Sequence, residues 1–158
     1  AEAGAEVKSV AVSSLSCKVA GCCGCCACQA GKEFKCVLGD DLADLLASIP
    51  SYDTVVIASG IYFFGFPAQA KMVIDRFMCL CKESGCAISK TQFALMTTAG
   101  GDINDSGVST MHDTMNFITG YIGAPQTKFF FEGGLMDDCK ALSDELKNRA
   151  SEFGKSLV

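Results

Sequence analysis

The spacing of apolar residues changes repeatedly along the chain, between short apolar or alternating runs and recurrence every three to four residues. Val7 to Leu15 reads as a strand, with Val10 and Val12 spaced for one face. Asp40-Asp41 opens a helix in which Leu42, Leu45, Leu46 and Ile49 fall at i, i+3, i+4 and i+7, with Asp40 as N-cap and Pro50 as its end. Thr54 to Ser59 is a continuous run rich in β-branched residues, the pattern of a parallel strand buried on both faces. A loop from Gly60 to Phe66 leads to Pro67, suited to a helix's first turn. That helix shows Val73, Phe77 and Leu80 on its apolar face and ends at Gly85.

Gln92 to Thr97 is the next buried strand, followed by the turn Thr98-Ala99-Gly100-Gly101-Asp102. Val108, Met111, Met115, Ile118 and Ile122 form a helical stripe. Thr127 to Phe131 is a further strand, Glu132-Gly133-Gly134 a turn, and a final helix runs from about Asp137 to Leu157. With a short helical turn in the cysteine region, the order is β-α-β-α-β-α-β-α. That alternation predicts an α/β fold, a parallel sheet with helices on both faces. No repeat or linker divides the chain, so residues 1–158 are expected to form one domain.

Composition narrows the function. The 158 residues are 49% hydrophobic and 20% charged, with a net charge of −5. This is enough apolar surface for a core, and it lacks the basic surplus expected of a nucleic-acid binder. The uncharged stretch Thr54 to Ala70 is broken by Gly60, Gly65 and Pro67 and falls short of the ~20 apolar residues of a membrane span. The first six residues lack the basic and apolar regions of a signal peptide. The expectation is a cytoplasmic protein with neither membrane nor nucleic-acid partners.

In that setting the 11 cysteines matter most, since seven lie between Cys17 and Cys36. Adjacent cysteines do not all pair with good disulfide geometry, and a chain this apolar does not need a disulfide scaffold. Cys22, Cys25 and Cys28 are spaced by three, and Cys36 follows at a distance. Bacterial ferredoxins use the same leading spacing for [4Fe–4S] clusters. Cys23 and Cys26 offer a rival register. A four-cysteine zinc site and metal-free thiols are the other readings, although zinc sites more often show two separated pairs.

Two more loops carry chemistry. Ser59-Gly60-Ile61-Tyr62-Phe63-Phe64 follows one predicted strand, and Thr98-Ala99-Gly100-Gly101 follows the next. Loops at the carboxyl ends of parallel strands build the ligand crevice of open sheets. Aromatics there can cover a flat ring, and glycines admit close backbone approach. Core packing of Phe63 and Phe64 is the plainer reading. Because the cysteine loop also follows a predicted strand, all three loops are expected on one rim.

These residues resemble the flavodoxin-like NAD(P)H-dependent FMN reductases, and most closely the iron–sulfur flavoproteins among them. The likeness rests on Cys22, Cys25, Cys28 and Cys36 with the trailing Asp40-Asp41-Leu42. It rests also on Ser59 to Phe63 with Gln69-Ala70-Lys71 and Ile74-Asp75-Arg76, and on Thr98 to Gly101. The resemblance implies a doubly wound, three-layer α/β/α fold, with FMN at the switch point of a five-stranded sheet. Ser59, Gly60, Ile61, Tyr62, Phe63, Phe64, Thr98, Ala99, Gly100 and Gly101 would hold the flavin, and Cys22, Cys25, Cys28 and Cys36 a [4Fe–4S] cluster.

It further implies an oxidoreductase taking electrons from NAD(P)H or a reduced small carrier, working as a dimer or tetramer. A non-catalytic electron-transfer flavoprotein and a cysteine-rich metal-binding fragment without flavin are the alternatives. Two departures stand out. Gly60 replaces the family's usual proline. The family's first strand and phosphate-binding loop are not in this sequence, so the chain is expected to be a fragment whose Ala1–Gly4 is a helix tail.

The remaining candidates read as structural. His112 and Cys79, Cys81 and Cys86 are expected to pack, Asp75 and Arg76 to pair with each other, and Glu145 to Arg149 to form a solvated face. Cys17 and Cys139 have no evident partner.

Overall fold

The computed structural model describes residues 3–135 and 142–158. Its main sheet has three parallel strands: β1 (Thr54–Gly60), β4 (Gln92–Thr98) and β5 (Lys128–Glu132), in the order β1-β4-β5. Thr54 pairs with Gln92 and Gly60 with Thr98, while Ala94 pairs with Lys128 and Thr98 with Glu132. The carboxyl ends of all three strands therefore meet at one rim. Helices α2 (Asp41–Ser48), α3 (Ala68–Arg76), α4 (Val108–Ile122) and α5 (Asp144–Lys155) follow the sequence periodicity. A four-residue α1 (Ala27–Ala30) lies inside the cysteine loop.

Side-chain caps fix the starts of two helices, and the first is the one expected. Asp40 accepts from the Ala43 N–H at 2.9 Å at the start of α2. Ser143 accepts from the Leu146 N–H at 3.2 Å at the start of α5. That helix begins at Asp144, and the earlier start expected near Asp137 lies outside the described residues, as does Cys139. The core gathers Leu42 and Leu46 of α2, Phe93 and Leu95 of β4, and Met111, Met115 and Ile122 of α4. Among the described residues, no helix is long and apolar enough to cross a membrane.

Several expectations need correction. The strand expected at Val7–Leu15 does not form: residues 5–11 lack regular structure, and Val12–Ser14 is a 3-10 turn. A strand needs a ladder partner, but a groove of about 970 Å³ separates this segment from β1. For the same reason β1 is not buried on both faces, and Val56 and Ala58 are exposed. The helix expected to reach Gly85 stops at Arg76. A 3-10 turn, Phe77–Leu80, and a hairpin of β2 (Cys81–Lys82) and β3 (Gly85–Cys86) replace its end. A Cys81–Cys86 disulfide closes that hairpin, so these two cysteines are bonded rather than free packing residues. At the amino end, Ala3 and Gly4 form a turn and bend, with Gly4 in the left-handed region at φ +86°.

Candidate functional site

The aromatic loop after β1 is a tight hairpin rather than core packing. Tyr62 and Gly65 exchange backbone hydrogen bonds of 3.0 and 3.2 Å. Between them Phe63 (φ +48°) and Phe64 (φ +69°) are both left-handed, a conformation that costs bulky side chains free energy. Phe63 is 98% exposed and Tyr62 67% exposed. The two phenylalanine rings meet edge to face at 5.6 Å.

Gly107, just before α4, admits this hairpin, because a Cβ there would lie 2.7 Å from the Phe64 Cα. Gly107 itself sits at φ +79°. Gly107→Ala is therefore expected to lower stability by at least ~1 kcal/mol, measured by thermal unfolding, with the hairpin the first region to lose amide-exchange protection.

The second loop joins the first. The Ile61 N–H donates to the Thr98 carbonyl at 2.8 Å, extending the β1–β4 ladder past its last pair. Beyond Thr98, the Ala99 N–H donates to the Glu132 carbonyl at 2.9 Å, and the Gly134 N–H to the Gly101 carbonyl at 3.1 Å. Thr98 is exposed, Ala99 buried, and Gly100 and Gly101 half-buried. The Ser59 hydroxyl donates to the Gly60 carbonyl at 2.8 Å. The Tyr62 ring folds over Gly60, where a Cβ would meet it at 2.9 Å, so the glycine leaves room for that ring.

Ser59, Gly60 and Tyr62 line the groove along the open edge of β1, together with the amino end of α3. Its volume falls in the ~300–1,000 Å³ range typical of small-molecule sites. Ile61, Phe63, Phe64 and Thr98 to Gly101 lie at the rim and do not line that groove. Exposed aromatic surface beside a peptide-lined groove suits a flat, conjugated ring.

The cysteine loop closes a different cavity. Cys22, Cys23, Cys25, Cys26, Cys28, Cys36 and Cys79 line a space of about 80 Å³, with Gln29, Met78 and Arg76. Asp40 and Asp41 fasten the loop's start: the Lys18 N–H donates to Asp40 at 3.0 Å and the Ser16 N–H to Asp41 at 2.8 Å. From the hairpin side, the Gln29 amide donates to the Met78 and Cys81 carbonyls at 3.1 and 3.0 Å. The Lys82 ammonium donates to the Cys28 carbonyl at 3.0 Å and also to the Gly31 carbonyl.

The Ala27 N–H, and then the Cys23 side chain, draw the Cys25 thiol pKa below its ordinary value. Burial pushes buried Cys79 up to about 12, which keeps it a neutral thiol. Among the described residues, no three Cys, His, Asp or Glu side chains converge on a single ion position. The cysteines around this cavity are thiolate donors of the type that both a polynuclear cluster and a zinc ion use.

Arg76 forms one wall of this cavity at 1% exposure. Its guanidinium grips Asp40 through two bonds of 2.9 and 2.8 Å. The pair holds the Asp40 carboxyl far below the usual carboxylate range and raises Arg76. The expected Asp75–Arg76 pair is thus replaced: Asp75 bonds Lys71 at 2.5 Å, one helical turn away, and Arg76 reaches Asp40. His112 packs as expected, its ring stacked on Phe129 at 4.0 Å, and burial lowers its pKa. Of the residues expected on a solvated face, Arg149 bonds Glu132 at 2.7 Å.

The three loops do not share one cavity. Ala68 to Ala70 of α3 border the β1 groove, and Arg76 at its other end borders the cysteine cavity. Eight residue steps of helix put these ends ~12 Å apart. Sequence reasoning missed the Arg76 and Cys79 contributions, since neither spacing nor composition shows which arginine is buried.

Residues 1–128 match the family model described as NADPH-dependent FMN reductase. The chain is 30% identical over 121 residues to an iron-sulfur flavoprotein of Methanosarcina thermophila; the match covers 73% of this chain and 59% of that protein. An FMN-dependent NADH-azoreductase from Bacillus anthracis, solved with FMN, matches 73% of this chain and 60% of its own at 18% identity, with TM-score 0.54. A structure titled thermophilic tryptophan halogenase, from Streptomycin violaceusniger, matches 75% of this chain and 73% of its own at 16% identity, with TM-score 0.61. At such identities the two structures share a fold with this chain and nothing more.

Proposed function

The chain belongs to the NADPH-dependent FMN reductase family, and from that premise we propose that it is the cofactor-bearing region of an iron–sulfur flavoprotein-type oxidoreductase. FMN would sit at the rim formed by Ser59 to Phe64 and Thr98 to Gly101. A [4Fe–4S] cluster would be held by Cys22, Cys25, Cys28 and Cys36. The single observation that carries this reading is the cavity bordered by all four of those cysteines and by a buried arginine. The flavin relative at 30% identity supports it. When bound, the two groups supply hydride acceptance from NAD(P)H and one-electron transfer to or from a small redox carrier.

The chain's own residues supply the surroundings. Tyr62 and Gly60 offer a flat apolar face backed by peptide, and the Ile61–Thr98 bond fixes the two loops against each other. The cysteine loop surrounds its cavity with sulfur, fastened by Asp40, Asp41, Gln29 and Lys82. α3 couples the two places rigidly. A second copy of the chain would complete the arrangement, as a homo-oligomer.

Tyr62→Ala is expected to weaken FMN by ~1–3 kcal/mol, the worth of aromatic stacking in nucleic-acid complexes. Fluorescence titration of FMN reads this as a rise in Kd of about fivefold to more than a hundredfold. An unchanged Kd contradicts the assignment of this loop. NAD(P)H oxidation by the FMN-loaded chain then tests the activity. Flavin bound without steady turnover would make the protein an electron carrier.

A further inference from the structure

We propose that Arg76 is a positioning residue for the sulfur chemistry of the cysteine cavity: its Nε–H donates to the Cys36 sulfur and raises the reduction potential of the cluster held there. This deepens the reading above and rests on it for the cluster itself.

The starting observation is an imbalance in an otherwise satisfied pair. Asp40 takes both Nη groups of Arg76 and the N–H groups of Lys18 and Ala43. Four donors occupy this carboxylate, and its charge cancels that of the guanidinium. Among the described residues, the buried Arg76 Nε nevertheless has no hydrogen-bond partner. A buried donor left unpaired is costly and rare. Cys36 borders the same cavity as Arg76 and is the cavity sulfur that acts on its guanidinium. The same arginine borders the cavity with Cys22, Cys25 and Cys28.

The unpaired N–H thus lies where thiolate charge would accumulate. Thiolates bound to a cluster keep partial negative charge and accept hydrogen bonds, and such bonds raise the potential by favouring the more negative, reduced form. Arginine suits this position better than lysine. Its planar fork engages Asp40 with two nitrogens and leaves the third free on another edge, whereas an ammonium is a single point charge. Asp40 sets the orientation, because the bidentate grip fixes the plane of the guanidinium. The arrangement also favours Cys36 as the fourth ligand.

The experiment uses the whole chain, reconstituted anaerobically with iron and sulfide. The potential is read by an EPR-monitored titration and the terminal iron–sulfur stretches by resonance Raman in H2O and D2O. In the unmodified chain, one terminal stretch should shift on deuterium exchange. Arg76→Lys, which keeps the charge but not the Nε–H, should abolish that shift. It should also lower the potential by about tenfold in the oxidised-to-reduced ratio, ~59 mV for one electron.

Asp40→Asn keeps the side-chain shape but removes a negative charge, and should move the potential upward. Shifts of opposite sign are not what general loosening of the fold would produce. A cluster of unchanged potential in Arg76→Lys, or shifts of the same sign in both variants, overturns the role of Arg76. So does an unmodified chain whose cluster shows no deuterium-sensitive stretch, a result that needs neither variant to fold. An unmodified chain that gains no acid-labile sulfide overturns the cluster reading instead, and the inference with it.

Discussion

Serine at Cys22, Cys25, Cys28 or Cys36 is expected to remove most of the iron that the chain binds on anaerobic reconstitution, while serine at Cys23 or Cys26 leaves it nearly unchanged. All six border the cavity, so proximity alone does not choose between them. The choice rests on spacing: Cys22, Cys25 and Cys28 repeat every three residues, as in ferredoxins. The backbone adds support. Cys26 sits left-handed at φ +54°, and its thiol donates to the Gly24 carbonyl at 3.5 Å, a local engagement that occupies it within the turn. Cys36 follows Cys28 by eight residues and borders the cavity together with Arg76. Iron and sulfide assays on the six variants decide the register, and equal loss at Cys23 or Cys26 would reverse it.

Asp40→Ala is expected to be the most damaging single change outside the cysteines. It strips the carboxylate bonded to buried Arg76, uncaps α2 and frees the start of the cysteine loop at Lys18. Breaking one partner out of a buried pair costs ~3–5 kcal/mol, a large share of the ~5–15 kcal/mol that stabilises a typical domain. Chemical denaturation measures the loss.

The same pair sets a pH dependence. The Asp40 carboxyl is held below its unfolded value, which is about 4. Its contribution is therefore complete above about pH 4 and is lost as the pH falls further towards the depressed folded-state pKa. The denaturation midpoint of the unmodified chain should fall steeply below pH 4, and the Asp40→Ala chain should show a shallower fall.

Much of this was legible in the sequence where local chemistry decides the outcome. Asp40 caps α2, Leu42 and Leu46 face the core, and the Met111–Met115–Ile122 stripe is buried as its period indicates. The fold class followed from alternation, because each buried strand needs a helix to return to the same rim. What failed depends on partners far along the chain. Val7 to Val12 has strand composition, yet a strand exists only where a ladder receives it, and here a groove intervenes. Phe63 and Phe64 look like core residues by composition, but a tight hairpin turns both outward. Arg76 sits next to Asp75 in sequence, and successive helix positions point different ways, so its partner comes from Asp40, 36 residues earlier. Of the three loops expected on one rim, the aromatic and glycine loops meet through the Ile61–Thr98 bond, while the cysteine loop borders a different cavity.

The most direct test of the central claim is the iron, acid-labile sulfide and zinc content of the chain purified without oxygen. The iron–sulfur reading predicts about four iron and four sulfide per chain with negligible zinc. Stoichiometric zinc with no labile sulfide would contradict it.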